Sequence, residues 1–341
     1  MRHPLRLAIS LLILTACQAE DLPSGPDSSP AGPALDAGVL QSGTWYSRLG
    51  MPTGRVGVTA ATVNGVVYLI GGNLAGNGGG DGGPTPTAKV ESYHPNTTTL
   101  LAWRNRAPMP GARSFTNGAA VINGKIYVSG GLTINADGQY VRTRTLYRYD
   151  PVNDVWASRA RLPRATSGGA PVAIDGKLYA YVVYGADNSS GAALYRYDPA
   201  ADAWTELAQP PAIQVGAAAT VLGGKMWVIG GRFGKGAALA TVSVFDPGTG
   251  KWTTKPPLEM AREGLVARTI DGRIYVAGGS AGGSGAVEYL EMYDPAVGDW
   301  FVTKAVIPTP RAYAASAVVG GNLYVIGGTA GDGRTNEMYV P

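Results

Sequence analysis

A tryptophan that recurs in phase six times constrains the fold of this chain more than any other feature. The six residues are Trp45, Trp103, Trp156, Trp204, Trp252 and Trp300, and the last four are each 48 residues apart. Between them lie apolar runs that end in paired glycines, as in Trp227–Gly231 and Tyr324–Gly328. A period of this length, with several short β runs per unit, is typical of a propeller blade. We therefore predict an all-β, six-bladed propeller.

Two-residue turns give the order of strands within each repeat. Each repeat contains one pair that favours a type I′ hairpin turn, because Asn, Asp and Gly tolerate positive φ. The pairs are Asn64-Gly65, Asn123-Gly124, Asp175-Gly176, Gly223-Gly224, Asp271-Gly272 and Gly320-Gly321. We predict strand a before this turn, strand b after it, strand c in mid-repeat and strand d at the Trp. The long b–c loops and the d–a connections then share one face, which is where a rigid scaffold usually carries binding residues.

The two ends of the repeat region are out of step with each other. Trp45 precedes the first strand a, whereas the last repeat stops at Pro341 without a Trp. We therefore expect residues 44–48 to supply strand d of the blade formed by residues 309–341. Such closure removes free sheet edges that invite aggregation.

The repeats resemble the kelch repeat, in which a Gly-Gly doublet is followed by Tyr-Asp-Pro and then by Trp. The Tyr-Asp-Pro element appears here as Tyr149-Asp150-Pro151, Tyr197-Asp198-Pro199, Phe245-Asp246-Pro247 and Tyr293-Asp294-Pro295. The resemblance covers residues 44–341 and implies a kelch-type propeller. Blade 3 departs from the pattern, since Val182-Val183 stand where the glycines should be, so its outer loop is expected to leave the sheet differently.

The N-terminal segment has the pattern of a bacterial export signal. Arg2, His3 and Arg6 precede a short apolar run that ends in Leu14-Thr15-Ala16-Cys17, which resembles a lipobox. We expect residues 1–16 to be a lipoprotein signal peptide, Cys17 to carry the lipid, residues 17–43 to form a disordered Pro/Ser/Gly tether and residues 44–341 to form the propeller. The alternative is an ordinary signal peptide with an incidental Cys. The expected location is the bacterial cell envelope, at the outer membrane in a Gram-negative host.

Composition argues against several chemistries. The chain has two His and one Cys, and His3 lies in the export signal, so neither a Ser-His-Asp arrangement nor a His- or Cys-ligated metal site is expected. We predict no cofactor, and a flexible loop rather than a calcium site at residues 76–83. The formal charge is +4 and includes Arg2 and Arg6 of the signal, so the remaining chain is nearly balanced in charge. A balanced charge does not indicate a nucleic-acid partner. A monomer tethered through its lipid is expected.

One polar feature recurs near the start of strand a. Its candidate residues are Arg55, Arg113, Arg164, Gln214, Arg262 and Arg311. In one interpretation these are structural side chains that bind loop carbonyls. In the other they form a cationic ring that binds carboxylates of a ligand, because a guanidinium makes bidentate contacts. Further basic residues of the b–c loops would extend that ring, namely Arg142, Arg144, Arg232, Lys235 and Arg334.

Three functions agree with these observations. The first is a non-catalytic binding module for a protein or an acidic glycan at the cell envelope. The second is an enzyme similar to the kelch-type N-acetylneuraminate mutarotases, for which Glu263 and Glu288 are the candidate acid/base groups. The third is a structural component of the envelope. A propeller is a scaffold for many unrelated sites, so the repeat alone does not choose among them.

Overall fold

The computed structural model describes residues 43–75, 85–97, 99–115, 118–185, 191–282 and 285–341. The predicted signal peptide, Cys17 and residues 17–42 of the predicted tether lie outside the described residues, and so does the glycine-rich loop from residue 76 to 83. Within the described ranges, no helix is long and apolar enough to cross a membrane.

Six four-stranded antiparallel sheets, one per blade, make up the repeat region. Strands a to d of blades 1 and 2 are Thr59–Val63, Val66–Ile70, Val90–Tyr93 and Trp103–Arg106, then Ala119–Ile122, Lys125–Ser129, Leu146–Asp150 and Val155–Arg159. Those of blades 3 and 4 are Ala170–Ile174, Lys177–Tyr184, Gly191–Asp198 and Ala203–Glu206, then Ala218–Leu222, Lys225–Ile229, Val242–Asp246 and Lys251–Lys255. Those of blades 5 and 6 are Val266–Ile270, Arg273–Ala277, Tyr289–Asp294 and Asp299–Val306, then Ala315–Val319, Asn322–Ile326, Asn336–Val340 and Thr44–Ser47.

The remaining elements are short. Arg55–Val56 pairs with Asn73–Leu74, Leu132–Ile134 pairs with Tyr140–Arg142, and Leu100–Ala102 forms a single 3₁₀ turn.

Closure of the ring by the first strand is confirmed. Thr44–Ser47 pairs antiparallel with Asn336–Val340, with Thr44 opposite Val340 and Ser47 opposite Glu337. The closing strand therefore takes the place of strand d in blade 6, and its partner is the strand nearest the other end of the repeat region.

All six a–b turns have the predicted geometry. Both central residues of every turn have positive φ. The values range from 46° at Asp271 to 76° at Gly272 and Gly321. These are the angles that a type I′ turn requires. The a–b turns occupy one face, while the d–a and b–c segments pair with each other on the opposite face, as at Val215 with Arg232 and Glu263 with Ser280.

Blade 3 differs from the others at the end of strand b, as its sequence indicated. In blade 1 the doublet Gly71-Gly72 has φ of 65° and 95° and ends the strand. Valine is β-branched and disfavours such angles. Strand b of blade 3 therefore continues to Tyr184, which pairs with Gly191 of strand c.

Aromatic side chains connect each blade to its neighbour. The rings of Tyr68 in blade 1 and Tyr149 in blade 2 meet edge to face with centroids 5.8 Å apart, and Trp156 Nε1 of blade 2 donates a 2.9 Å hydrogen bond to the Ala107 carbonyl of the segment that follows blade 1. The core consists of clusters that span adjacent blades. One of them packs Val67 of blade 1 against Ala315 of blade 6, so the blades are stabilised mainly by contacts with each other.

Candidate functional site

A closed ring of backbone hydrogen bonds surrounds the propeller axis. It contains one residue from each d–a connection: Gly57, Phe115, Gly168, Gly216, Gly264 and Tyr313. The N–H of each donates to the carbonyl of its neighbour in the ring, and the N···O distances lie between 2.7 and 3.4 Å. All six residues have positive φ. The ring thus fixes the axial end of every blade on the face that carries the b–c loops.

Two members of the ring are aromatic residues in a backbone conformation that favours glycine. Phe115 has φ of 43° and Tyr313 has φ of 54°, which is costly for residues with a Cβ. Their rings meet edge to face with centroids 5.4 Å apart. A Cβ at Gly57 would lie 2.8 Å from the Phe115 ring, and one at Gly264 would lie 2.9 Å from the Tyr313 ring. Such strain occurs mainly at functional sites, which makes this axial end the candidate site.

A tyrosine, a glutamate and an arginine are linked beside the aromatic pair. The Tyr313 hydroxyl donates a 2.7 Å hydrogen bond to Glu263 Oε2. Arg232 Nε lies 2.7 Å from the same oxygen, as an ion pair whose N–H is not aligned for a hydrogen bond. Burial and the bond to Glu263 raise the pKa of Tyr313, so the phenol stays protonated and remains the donor. The carboxylate is held at the rim by both partners.

Below this rim, the axial channel is lined by the small residues of the six a strands and by one large cation, Arg268. Arg268 Nη2 donates to the Ser316 carbonyl at 2.7 Å, and Nη1 donates to the Ala267 carbonyl at 3.3 Å. Among the described residues no carboxylate forms an ion pair with it. Burial lowers the pKa of Arg268 to about 10, so the side chain is still charged at neutral pH.

The other blades show how unusual Arg268 is. The equivalent residue of each strand a pairs with an aromatic residue of strand b, as Arg268 pairs with Tyr275. Those residues are Ala61, Ala120, Val172, Thr220 and Ala317. Blade 5 alone therefore places a charge at this level of the channel among the described residues.

Comparison with known proteins identifies the repeats as kelch repeats. The model for the KLHDC2/KLHL20/DRC7 Kelch-repeats domain matches residues 216–340, and the model for the Kelch motif matches residues 116–163. The chain is a six-bladed kelch-repeat propeller. The solved structure of YjhT matches it with a TM-score of 0.71 at 21% identity, over 85% of this chain and 95% of that one. At this identity the likeness establishes the fold alone.

Similar curated proteins differ in what their names describe. N-acetylneuraminate epimerase of Pasteurella multocida is 35% identical over 95 residues, which are 27% of this chain and 25% of that protein. Kelch-like protein terF of Aspergillus terreus is 30% identical over 171 residues, which are 49% of this chain and 34% of that protein. The matched regions span about a quarter to a third of these relatives.

Three of the arginines suggested as ligand-binding groups are buried inside this kelch propeller. Arg55, Arg262 and Arg311 are at most 1% exposed. Each forms an ion pair with a glutamate of strand c in its own blade: Arg55 with Glu91 at 2.7 Å, Arg262 with Glu291, and Arg311 with Glu337 at 2.5 Å. Each also donates to backbone carbonyls, as Arg55 Nη1 does to Gly71 at 2.8 Å. The interpretation of a cationic ring at a pocket mouth does not agree with this burial, because these guanidinium groups face protein on all sides.

Blades 4 and 2 have other side chains at the same place. Gln214 is fully buried, accepts a 2.9 Å hydrogen bond from the Ser243 hydroxyl, and donates to the Gly230 carbonyl at 2.9 Å. Arg113 is also mostly buried, and its guanidinium lies 6.0 Å from the centre of the Tyr147 ring.

In blade 3 the equivalent residue is Thr166, not Arg164. The Thr166 carbonyl accepts the N–H of Gly131 just as the Arg113 carbonyl accepts that of Gly72. The Thr166 hydroxyl donates to the Val183 carbonyl at 2.9 Å. Arg164 is instead exposed, with its guanidinium carbon 4.4 Å from the centre of the Tyr184 ring. The count of residues to the a–b turn missed this difference.

The glutamate partners had a signal in the sequence that the repeat analysis did not use. In blades 1, 5 and 6 a Glu stands two residues before the strand c Tyr, as Glu91 before Tyr93. The corresponding residues of blades 2, 3 and 4 are Tyr147, Tyr195 and Ser243. An Arg before strand a and a Glu two residues before the strand c Tyr of the same blade together predict a buried ion pair. By the same criterion Arg113 and Arg164 have no glutamate partner, because Tyr147 and Tyr195 stand at that position in their blades.

Proposed function

We propose that this propeller is a non-catalytic binding module that holds the carboxylate end of an acidic glycan at the axial end of the ring. The observation that carries this proposal is Arg268, a charged side chain in the channel that no carboxylate of the described residues balances. Arg268 is half-buried, and a guanidinium that is partly desolvated without a carboxylate favours an anionic partner. The fully buried arginines Arg55, Arg262 and Arg311 already have a glutamate.

The rim supports a sugar ligand in particular. Phe115 and Tyr313 supply aromatic surface next to the channel, and aromatic rings pack well against ligands with an apolar face. Glu263 and Arg232 supply groups that accept and donate hydrogen bonds at the same rim. A mostly apolar concave site with a few convergent polar groups is the usual form of a small-molecule site.

Arg268→Gln tests the proposal. Titration calorimetry of the full-length chain with sialic and uronic acids, and with their methyl esters, should give measurable affinity for the acids only. Loss of a charge-assisted bond of about 1.5–3 kcal/mol predicts roughly 10- to 150-fold weaker binding in the variant. Arg273→Gln is the matched control, because Arg273 is an exposed strand b residue that pairs with Asp294. Equal affinities of acids and esters, or equal loss in both variants, would refute the axial carboxylate site.

A second candidate function is a sugar-acid mutarotase or epimerase. Glu263 favours it, because this carboxylate lies at the rim beside a phenol donor, and because three of the similar proteins are named N-acetylneuraminate epimerase. Glu288, the other suggested acid/base group, is exposed and does not line the channel. Anomeric exchange of a sialic acid followed by NMR, in wild type and Glu263→Gln, decides between binding and turnover. Exchange that is accelerated by the wild type and lost in the variant would replace the binding module by an enzyme.

Attachment to the cell envelope is a further part of the proposal, and it rests on Leu14-Thr15-Ala16-Cys17. Acylation of Cys17 would hold the propeller at a membrane, at the outer membrane in a Gram-negative host. Cys17→Ser should abolish incorporation of labelled fatty acid and move the protein out of the membrane fraction. Absence of label in the wild type would refute the lipid anchor.

If neither sugar acids nor other glycans bind to the propeller, a structural role in the envelope becomes the better description of its function.

A further inference from the structure

The part of the ring from strand d of blade 1 to the segment before strand a of blade 3 carries far more positive charge than the rest of the chain. Residues 104–164 contain ten of the 28 Lys and Arg residues but only three of the 24 Asp and Glu residues. The remaining chain then has 18 basic and 21 acidic residues. The net charge of the molecule is thus small, but its positive part is concentrated in one sector of the ring. An uneven field of this kind acts on association with charged partners.

Three arginines of this sector lie on adjacent segments of the face that carries the b–c loops. Arg144, Arg161 and Arg164 are all exposed. Arg144 Nε donates to the Leu162 carbonyl at 2.6 Å, and the Leu162 N–H donates back to the Arg144 carbonyl at 2.8 Å. The two segments that carry the arginines are therefore adjacent. None of the three forms an ion pair with a carboxylate of the described residues.

A hairpin with exposed apolar side chains extends from the same place. Leu132–Ile134 and Tyr140–Arg142 form its strands, and Ile134 and Tyr140 are each 41% exposed. Its base is fixed on both sides, because Leu132 bridges to Ser114 and Thr143 bridges to Thr166. The second bridge leads directly from the hairpin to the segment of Arg161 and Arg164.

The hairpin tip is ordered by its own side chains. Asn135 Oδ1 accepts the N–H groups of Asp137 and Gln139 at 3.1 and 2.8 Å, and the Asn135 N–H donates to the Gln139 carbonyl at 2.9 Å. An exposed hairpin that is already fixed loses little conformational entropy when it binds. This arrangement suits recognition better than it suits folding, since an exposed Ile and Tyr at a tip add no buried core.

We propose that the hairpin from residue 132 to 142, together with Arg144, Arg161 and Arg164, binds an acidic segment of a protein partner that also presents an apolar side chain. The combination of Arg, Tyr and exposed aliphatic surface is the composition of protein interfaces. An acidic polysaccharide would leave Ile134 without an apolar contact. This surface is separate from the axial channel, so the inference does not depend on the carboxylate site.

The test uses the full-length chain and a fluorescent 12-residue peptide in which Glu alternates with Leu. Binding is followed by anisotropy at low and at physiological salt. The variant Arg144→Gln/Arg161→Gln/Arg164→Gln should bind roughly tenfold more weakly or worse and show a flatter salt dependence. Ile134→Ser should weaken the Glu-Leu peptide but not a peptide of Glu and Gly. The control Lys251→Gln/Lys255→Gln/Arg273→Gln removes the same charge from exposed positions of blades 4 and 5 and should change affinity less than twofold.

Specific outcomes would overturn the proposal. These are no binding of the peptide to the wild type at low salt, equal losses in the arginine variant and its control, or tighter binding of polygalacturonate or phosphatidylglycerol vesicles than of the peptide. Circular dichroism melting of every variant separates lost binding from lost folding. Arg268→Gln should leave peptide binding unchanged, which keeps a failure of this surface distinct from a failure of the axial site.

Discussion

The two halves of the ring stabilise the contact between the segment before strand a and the end of strand b by different chemistry. One half consists of blades 5, 6 and 1, and the other of blades 2, 3 and 4. In the first half of the ring a buried Arg of the segment before strand a pairs with a Glu of strand c. In the second half the same place is occupied by neutral or unmatched groups, such as Gln214 with Ser243. Both solutions donate to carbonyls at the end of strand b, as Arg262 does to Gly278 and Gln214 to Gly230.

The difference shows which part of the arrangement the fold requires. In blades 1, 4 and 5 this side chain donates to a glycine carbonyl at the end of strand b, and in blade 6 Arg311 donates to the Val325 carbonyl of strand b. Blade 4 makes this bond without an ion pair. A glutamate is present in the three blades whose guanidinium is at most 1% exposed, because an unpaired charge inside the blade would cost several kcal/mol. Arg113, which is 9% exposed, packs against the Tyr147 ring instead. The carboxylate thus balances the charge of the arginine. The hydrogen bond from the arginine or glutamine side chain is what joins the segment before strand a to strand b.

The largest expected effect follows from breaking a buried pair. Arg311→Met leaves Glu337, which is 2% exposed, without its cation, and should lower the free energy of unfolding by about 3–5 kcal/mol. Chemical denaturation measures this loss. Arg311→Met/Glu337→Leu should recover part of it, because the uncompensated charge is gone. If Arg311→Met lowers the free energy of unfolding by less than about 1 kcal/mol, the pair behaves like an exposed one, and the proposed difference between the two halves of the ring is wrong.

A smaller effect is expected in the neutral half. Gln214→Ala removes donors to the Gly230 and Thr241 carbonyls but leaves no buried charge. Loss of neutral hydrogen bonds predicts a decrease of about 1–3 kcal/mol in the free energy of unfolding. The same denaturation experiment applies. If Gln214→Ala costs as much as Arg311→Met, the charge itself is irrelevant and the two halves of the ring are energetically alike.

The closing strand allows a finer comparison. Trp156 Nε1 has the Ala107 carbonyl as its acceptor, whereas the buried Trp45 Nε1 has no acceptor among the described residues. Trp156→Phe therefore loses a hydrogen bond that Trp45→Phe does not, and should be the more destabilising change by about 0.5–1.5 kcal/mol. Thermal melts of the two variants side by side measure the difference. Equal melting temperatures would mean that the indole N–H contributes nothing to the contact between blades.

The smallest effect concerns ion pairs between the start of strand b and the end of strand c, which recur in blades 2, 3, 4 and 5. Lys177 binds Asp198 at 2.7 Å and lowers the pKa of that carboxyl. A carboxyl with a lowered folded-state pKa stabilises the protein above its unfolded pKa of about 3.9, and loses this contribution as the pH falls through the folded value. Asp198→Asn should therefore be slightly less stable than wild type at pH 7, and the two proteins should begin to converge as the pH falls below about 4, reaching equal stability only below the folded-state pKa. A difference that is constant over this range would exclude the ionised pair as its cause.

Much of the fold could be predicted from local chemistry. The Asn-Gly and Gly-Gly turns need positive φ whatever surrounds them, and the period of Trp fixed the number of blades. Closure by Thr44–Ser47 followed from counting, since one blade lacked a Trp at its end. Even the exception in blade 3 was visible, because Val182-Val183 lacks the glycines that end strand b elsewhere.

The candidate site was far less accessible from the repeat pattern. Arg262 and Arg268 are six residues apart and have the same chemistry, yet one is paired inside a blade and the other lies in the channel. Phe115 and Tyr313 belong to different repeats, and neither is part of a repeat motif. Their contact exists because the ring brings residue 115 of blade 2 and residue 313 of blade 6 to the same axis.

The sequence by itself determined the architecture of this protein: six blades, their turns and the strand that closes them. These features depend on backbone preferences and on spacing, which act over a few residues and repeat with the period of the chain. Only the tertiary structure decided which charged groups are compensated and which are available. Compensation depends on burial and on partners from other strands, as for Arg55 with Glu91, and the same residue type has opposite roles where those partners differ.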